Sequence, residues 1–535
     1  MTYNTITYKL TGNFQYDLGI YGLKQILDFF NENYETDEKY YLKINKTPHE
    51  ILEIIVKKLI DTKGLDYFIE KINKKQSLKL KNTHHNIEIY NNSTLDMFVT
   101  NLSKKIVSLY DANSKNKLDE AVIKDMLWQM ITEMLNTTLL NFNPDKSLKG
   151  KQVFEKAYNN LFPQNTKLKS KCTFCGQYLG KPIGREYFFN APSALNFSWF
   201  NEQNIVICPY CILLNFCITE ALTFFGNSKQ NAYFVYFPNL IEMANLNNIF
   251  KSGQNSFSSL SNKIIEYEKE KLIKTSVSHT LQIIEFTLNS QNPEINLYVL
   301  NKRNLEKIIK ASDLFEKLFN KKTYGQIKKG NNKTNIELSK EVFSSISNNQ
   351  YLYLIVDKYI NFVTKAYIDR FKKDQNKNYK QTVTGFYPDV FLLLLQIDSK
   401  IKGGKYMDAF EVFHDFGQQL RSAVIRSSKN NNEINWNTAN NKLIALSNKF
   451  ITASKMEMRD LQNLITQQII SHHDKYIKLN SGQAKLINHG NYNNIATTIA
   501  LSLLTESHKG KSNSINEELS KTSEKKETLN TGEED

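Results

Sequence analysis

The residues best suited to chemistry in this sequence are its cysteines, all five of which fall between positions 172 and 217. Four form two Cys-x-x-Cys pairs, Cys172 with Cys175 and Cys208 with Cys211. Each pair fits a tight turn that aims two thiolates at one point, and two such knuckles supply the four sulfurs a structural zinc ion prefers. The expected cofactor is Zn2+. Four thiolates leave no open coordination position, so the ion's role would be structural, with unligated buried thiols or redox chemistry as the alternatives. Cys217 lies six residues past Cys211, off that residue's helical face, and reads as an ordinary buried side chain.

The knuckles stand 32 residues apart, from 176 to 207, against the roughly 15 to 20 of a compact ribbon. That excess predicts a hairpin arm with GREYFFN and QNIVIC as its strands, carrying Lys181, Arg185, Tyr187, Phe197, Trp199 and Phe200. Confinement of the thiols to one segment argues against a secreted disulfide framework. The start lacks a signal-peptide pattern and the apolar runs are too short to span a bilayer, so a cytoplasmic protein with no membrane association is expected.

Other chemistry finds weaker footing. His414 with Asp415 and His473 with Asp474 match the dipeptide used by metal-dependent phosphohydrolases, but such a site also needs His and Asp ligands from facing helices. His84 and His85 lie far away in the N-terminal part, and GKPIG at 180–184 does not make the phosphate cradle of an NTPase. No catalytic residue is assigned.

Several elements must position the cysteines. Residues 5–11 alternate as a half-buried strand, a turn follows at Gly12 and Asn13, and Ile20, Leu23, Leu27 and Phe30 recur at helical spacing. Gly19 and Gly22 on that helix permit close approach of a neighbouring segment. A second strand at 40–46 leads into a helix through a capping box, Thr47 to Glu50, with Pro48 at its first position. A lysine- and asparagine-rich stretch with short apolar pieces lies at 65–92, followed by helices at 95–110 and 118–140. Beyond the first knuckle, 210–225 reads as a buried helix, 232–237 and 295–300 as strands, and 276–288 as a helix. The stretch 321–333 (KKTYGQIKKGNNK) is too rich in Gly and Asn for a helix and reads as a basic loop; 365–380 is a second basic stretch.

The fold class is therefore α+β multidomain: an N-terminal α+β region (1–160), a zinc-binding segment with a projecting arm (161–226), a mixed α/β middle with basic loops (227–384), a C-terminal helical bundle (385–506) and a disordered tail (507–535). Hydrophobic residues make up 41% of the 535, enough for packed domains. The formal charge of +15 fits an anionic partner such as nucleic acid, although a lysine-rich composition alone also produces it.

The opening GNFQYDLGIYGL, followed far downstream by CTFCG and then ICPYC at the head of an apolar helix, resembles the large subunit of type I CRISPR surveillance complexes, and within that family the type I-B branch. FHDFGQQLRSAV at 413–424 is similar to a helix of the family's C-terminal part. The resemblance implies a non-catalytic antiviral-defence protein of the Cascade type, sitting at the 5′-handle end of the guide RNA. It would contact the backbone and other Cascade subunits and recognise the short motif (PAM) flanking the target in double-stranded DNA. It would also assist duplex opening and recruit a helicase-nuclease transiently, while guide pairing reads the sequence. The C-terminal helices would also be made from an internal start, with Met407, Met456 or Met458 available. Residues expected at the nucleic acid are Asn13 and Gln15 in the first turn, Lys181 and Arg185 in the arm, and Lys321, Lys322, Lys328 and Lys329 in the middle loop. The rivals are a phosphohydrolase or nuclease using the His-Asp pairs, and a zinc-stabilised interaction module without nucleic acid.

Overall fold

The computed structural model describes residues 5–12, 14–37, 40–76, 94–113, 118–135, 148–161, 170–182, 206–225, 231–251, 257–274, 280–287, 294–321, 323–329, 332–430, 433–472, 477 and 479–505. The chain divides into two compact units, Met1–Asn255 with Thr280–Val299, and Ser256–His279 with Leu300–Asp535. Helix and sheet are mixed in both, and the C-terminal part is helical. No described helix is long and apolar enough to cross a membrane. Residues 183–205 of the predicted arm, and the tail, lie outside the described residues.

The first unit opens with strand β1 (Ile6–Lys9), helix α1 (Phe14–Phe29), and strands β2 (Glu35–Thr36) and β3 (Tyr41–Ile44). β1 and β3 pair antiparallel with Ile6 opposite Ile44 and Tyr8 opposite Leu42, all four buried, as the alternation requires. Helix α2 (Pro48–Gln76) starts at the capping box: the Thr47 amide donates to the Glu50 carboxylate at 2.7 Å, and the Glu50 amide donates to Thr47 Oγ1 at 3.3 Å. It continues into the lysine- and asparagine-rich stretch that starts at Leu65. Gly64 (φ +73°) kinks the helix, and beyond the kink Leu65, Phe68, Ile69 and Ile72 carry on a buried stripe whose packing outweighs the lysines between them. Helices α3 (Leu95–Asn113), α4 (Glu120–Leu135) and α5 (Lys151–Leu161) follow, with α4 packed against the other three.

The cysteine segment belongs to this unit. Strands β4 (Ser170–Lys171), β5 (Leu179–Pro182) and β6 (Val206–Ile207) form a small sheet, and helix α6 (Pro209–Ala221) leaves it. The helix stops at Ala221, earlier than its apolar run implied, and the chain goes on into strand β7 (Thr223–Phe225). Next come β8 (Asn231–Tyr236) and α7 (Leu240–Lys251), then β9 (Leu281–Thr287) and β10 (Glu294–Leu300), giving a sheet of order β10-β9-β8-β7. Residues 281–287 were expected in a helix. They form an interior strand in which Leu281, Ile283, Ile284 and Phe286 are buried, and an element covered on both sides shows no alternation to separate strand from helix.

Helix α6 is buried all round, from Tyr210 to Ile218, and α1 packs directly against it. Glycine makes that approach possible. A Cβ at Gly22 would sit 2.0 Å from the carbonyl oxygen of Cys217, and one at Gly19 would sit 2.6 Å from Leu214 Cβ.

The second unit contains helix α8 (Phe257–Lys274), α9 (Lys302–Lys310) and α10 (Ser312–Phe319), then strands β11 (Tyr324–Lys329) and β12 (Asn332–Glu337). The predicted basic loop is thus an antiparallel hairpin, with Lys328 opposite Lys333. Composition around Gly and Asn suits a hairpin turn as well as a loop. Helices α11 (Leu338–Ser347) and α12 (Tyr353–Gln375) lead to β13 (Val383–Thr384), which completes the sheet beside β11. After it come α13 (Pro388–Lys402), α14 (Lys405–Arg426), the short strands β14 (Lys429–Asn430) and β15 (Glu433–Ile434), α15 (Trp436–Ala453), α16 (Met458–His472), α17 (Ser481–Ala484) and α18 (Tyr492–Leu504). Buried from Ile495 to Leu504, α18 is enclosed by α13, α14 and α15, and Gly417 of α14 lets Ser502 come close.

The α1–α6 contact yields a direct test. Gly22→Ala adds a methyl that the Cys217 carbonyl blocks, so denaturant unfolding should show a loss of about 1–3 kcal/mol or more, the usual cost of overpacking. An unchanged midpoint would show that the two helices are not held this closely.

Candidate metal centre

The Cys172–Cys175 knuckle is shaped by its own backbone. The Gly176 amide donates to the Cys172 carbonyl at 2.9 Å, Gly176 takes the positive φ of +65° that closes the turn, and the Cys172 amide donates to the Tyr178 carbonyl at 2.8 Å. The turn is tied to the second pair through β6, since the Thr173 amide donates to the Val206 carbonyl and the Val206 amide to Thr173 Oγ1. Cys208 is the N-cap of α6, Pro209 occupies its first position, and Cys211 sits in its first turn. Unpaired amides at this helix end favour negative charge on both sulfurs.

These elements bring the four sulfurs within 4.8 Å of one another, with Cys175 Sγ and Cys208 Sγ 3.6 Å apart. A tetrahedron of thiolates about 2.3 Å from a central zinc has edges of about 3.8 Å, so the donor set fits a tetrahedral, thiophilic ion. All four are free thiols. Burial pushes the Cys208 and Cys211 thiols up, whereas hydrogen bonds from Cys172, Cys208 and Cys211 hold Cys175 down. Four thiolates crowded out of water repel one another, and a divalent cation offsets that cost.

A surrounding shell fixes the knuckles to β1 and α1. The Thr7 amide donates to Gln177 Oε1 at 3.2 Å, while Gln177 Nε2 donates back to the Thr7 carbonyl. Because β1 is the edge of its sheet, this carboxamide takes the place of a neighbouring strand. Tyr16 of α1 stacks on Phe174 with ring centroids 5.6 Å apart, and its hydroxyl lies 3.9 Å from Cys211 Sγ. Tyr8 of β1 donates to the Tyr210 carbonyl at 3.0 Å.

Asp17 organises the turn between β1 and α1. Its buried carboxylate accepts from the Thr11 amide (2.9 Å), Thr11 Oγ1 (3.2 Å), the Gly12 amide (3.0 Å) and the Tyr236 hydroxyl (2.9 Å). Burial raises its pKa, and those four donors oppose the rise. Sequence reasoning passed over Asp17, Gln177 and Tyr16. An acid in the first turn of α1 was the available signal for Asp17; Gln177 had none.

The expected nucleic-acid residues fare differently. Lys181 is half-buried in β5, opposite Ile207. Lys321 is ion-paired with Asp389, which removes it from the set of free cations. Lys328 is exposed on β11, and the backbone of Lys329 follows it there. Asn13, Arg185 and Lys322, together with the side chains of Gln15 and Lys329, lie outside the described residues, as do His84, His85, His473 and Asp474. His414 Nδ1 is 2.8 Å from Ser502 Oγ, its ring stacks on Phe410, and burial lowers its pKa. Among the described residues, the four cysteines are the one group of three or more His, Cys, Asp or Glu side chains gathered closely enough to hold a metal.

No family model, no curated protein and no solved structure matches the chain.

Metal analysis should find about one zinc per chain, and acidification should release it, because protons compete for the thiolates and affinity falls with pH. Cys208→Ser should lose the ion and unfold the region; a metal-free, redox-active native protein would contradict this. Asp17→Asn leaves donors facing an amide and should cost about 2–4 kcal/mol in denaturant unfolding, with metal content retained.

Proposed function

We propose that the chain is the large subunit of an RNA-guided type I surveillance complex of the I-B kind, a non-catalytic protein that holds the guide RNA's 5′-handle end and recognises a flanking motif in double-stranded DNA. It would assist duplex opening and recruit a helicase-nuclease. One observation carries this reading beyond the sequence resemblance. The two resembling segments, GNFQYDLGIYGL and the paired knuckles, are about 160 positions apart in the chain yet pack as one body through Gly19, Gly22 and Tyr16, together with the Gln177 clamp on β1. In that role zinc is a scaffold: the four thiolates complete its coordination, and the knuckles are tied to β1 through Gln177 and to α1 through Tyr16.

The charge of +15 supports an anionic partner, and the β11–β12 hairpin supplies a specific cationic element. Lys328 and Lys333 stand directly opposite each other, an arrangement that costs stability by itself and that a phosphate backbone would relieve.

Co-expression with the remaining subunits of such a complex should yield an assembly that retains a short RNA of one defined 5′ sequence. Recovery of the chain alone, without RNA or partners, would reject the proposal. In the assembly, Lys328→Ala with Lys333→Ala should weaken duplex DNA binding for all sequences alike and lower the slope against log salt by about one to two.

A further inference from the structure

A cleft of about 990 Å³ opens within the second unit, and its chemistry is not absorbed by the metal centre or by the hairpin. Three cations line it: Lys317 at the end of α10, Lys321 just beyond it, and Arg370 of α12. Three flat rings line it as well, Tyr387 at the start of α13 and the stacked pair Phe410 and His414 on α14, whose ring planes are within 9° of parallel. Asp389 is the one carboxylate among the lining residues and it is ion-paired with Lys321, which leaves Lys317 and Arg370 lining the cleft without a direct ion pair.

Arg370 is an unusual occupant. Its guanidinium lies over the Tyr387 ring, 4.6 Å from the centroid, and Nη1 donates to the Gly385 carbonyl at 3.1 Å, but Nε has no acceptor and no described carboxylate lies within ion-pair distance. Burial depresses its pKa. A half-buried guanidinium with no carboxylate in direct contact, favoured only at longer range by Asp389 and Asp374, gains from an anion supplied from outside.

The backbone beside it is strained. Gly385 and Phe386 both take positive φ, +75° and +48°, and for a bulky residue such as Phe386 that conformation is rare. A Cβ at Gly385 would lie 2.2 Å from the Tyr324 carbonyl oxygen, so β11 presses the turn into place, while Phe386 is buried among Tyr359, Phe362 and Phe391. The outcome of this forced turn is the placement of Tyr387 under Arg370 at the cleft wall. Strain concentrated where a cation and an aromatic ring are aimed into a cleft is the pattern of a binding site.

We infer that this cleft binds a nucleotide unit, with the phosphate against Lys317 and Arg370 and the planar base against the Phe410–His414 face. Cations in reach of a flat aromatic surface match the two halves of a nucleotide: a phosphate takes charge-assisted hydrogen bonds from guanidinium and ammonium, and a base stacks on a ring regardless of its identity. The volume lies in the range of small-molecule sites. Free nucleotide and a nucleotide within a single strand share this chemistry. The inference stands apart from the surveillance-complex reading, because it needs neither the metal centre nor the β11–β12 hairpin.

The test uses the purified full-length chain without RNA or partners, titrated separately with AMP, adenosine and a short oligothymidylate. Saturable binding of AMP is expected, with adenosine weaker by about tenfold or more for lack of the phosphate. Lys317→Glu, at an exposed position, should weaken AMP by about tenfold and leave adenosine unchanged, and Phe410→Leu should weaken both. If the oligothymidylate alone binds and the same two variants weaken it, the cleft serves a strand and the inference holds. Absence of saturable binding by AMP and oligothymidylate overturns it, as does binding that Lys317→Glu and Phe410→Leu both leave unchanged while circular dichroism shows them folded. Failure of the chain to assemble with RNA would sink the proposed function and leave these titrations unaffected.

Discussion

Helix α1 lies against α6 with nothing between Gly22 and the Cys217 carbonyl, and the first unit is arranged around that absence of side chains. Interiors pack at crystal-like density, so two helices that are each buried nearly all round admit one another only where atoms have been removed. The consequence reaches the cysteines. Helix α6 begins with Cys208 and Cys211, so seating α6 on α1 fixes half of the candidate metal donors relative to the first strand and turn. The other half, Cys172 and Cys175, is seated on the same strand by Gln177. An ion held by these four cysteines would therefore tie β1 and α1 to the knuckles, since they share one packed core.

Buried carboxylates carry out a second kind of organisation. Asp17 gathers two amides and two hydroxyls around the β1–α1 turn, and Asp369 of α12 does the same for the segment before β13, accepting from the Thr382 and Val383 amides, Thr382 Oγ1 and the Tyr379 hydroxyl. Glu285, inside the β10-β9-β8-β7 sheet, accepts from the hydroxyls of Tyr233 and Tyr298. Each is a desolvated charge repaid by several donors, and Asp17 and Asp369 also hold irregular backbone that no hydrogen-bond ladder reaches. In the second unit the Asp369 network and the strained Gly385–Phe386 turn together set where α13 begins. The wall of the basic, aromatic cleft follows from that starting point.

Lysine is abundant in this chain, and its placement matters more than its number. Lys321 is neutralised by Asp389 and Lys365 by Asp369, whereas Lys328 and Lys333 face each other across an exposed hairpin. Composition alone weights all of them equally. Only the positions of the carboxylates separate the cations available to an anionic partner from those that hold the fold.

Local patterns in the sequence were enough for the knuckles, the capping box from Thr47 to Glu50, strands β1 and β8, and the helical C-terminal part, because each rests on spacing or on hydrogen bonds within a few residues. The close approach at Gly19 and Gly22 was also legible as a permission, though its partner was not. Tertiary structure decided the rest. Residues 281–287 became a strand because β8 and β10 flank them, the stretch 321–333 became a hairpin because β13 completes its sheet, and α2 ran on past Leu65 because a buried stripe was waiting to be covered. Gln177 as a surrogate strand, Asp17 as a turn cradle and Arg370 over Tyr387 depend on groups brought together from distant positions or set by a forced turn. Spacing along a chain encodes contacts across one turn of helix or one ladder step; contacts between elements arise only when burial chooses which faces meet.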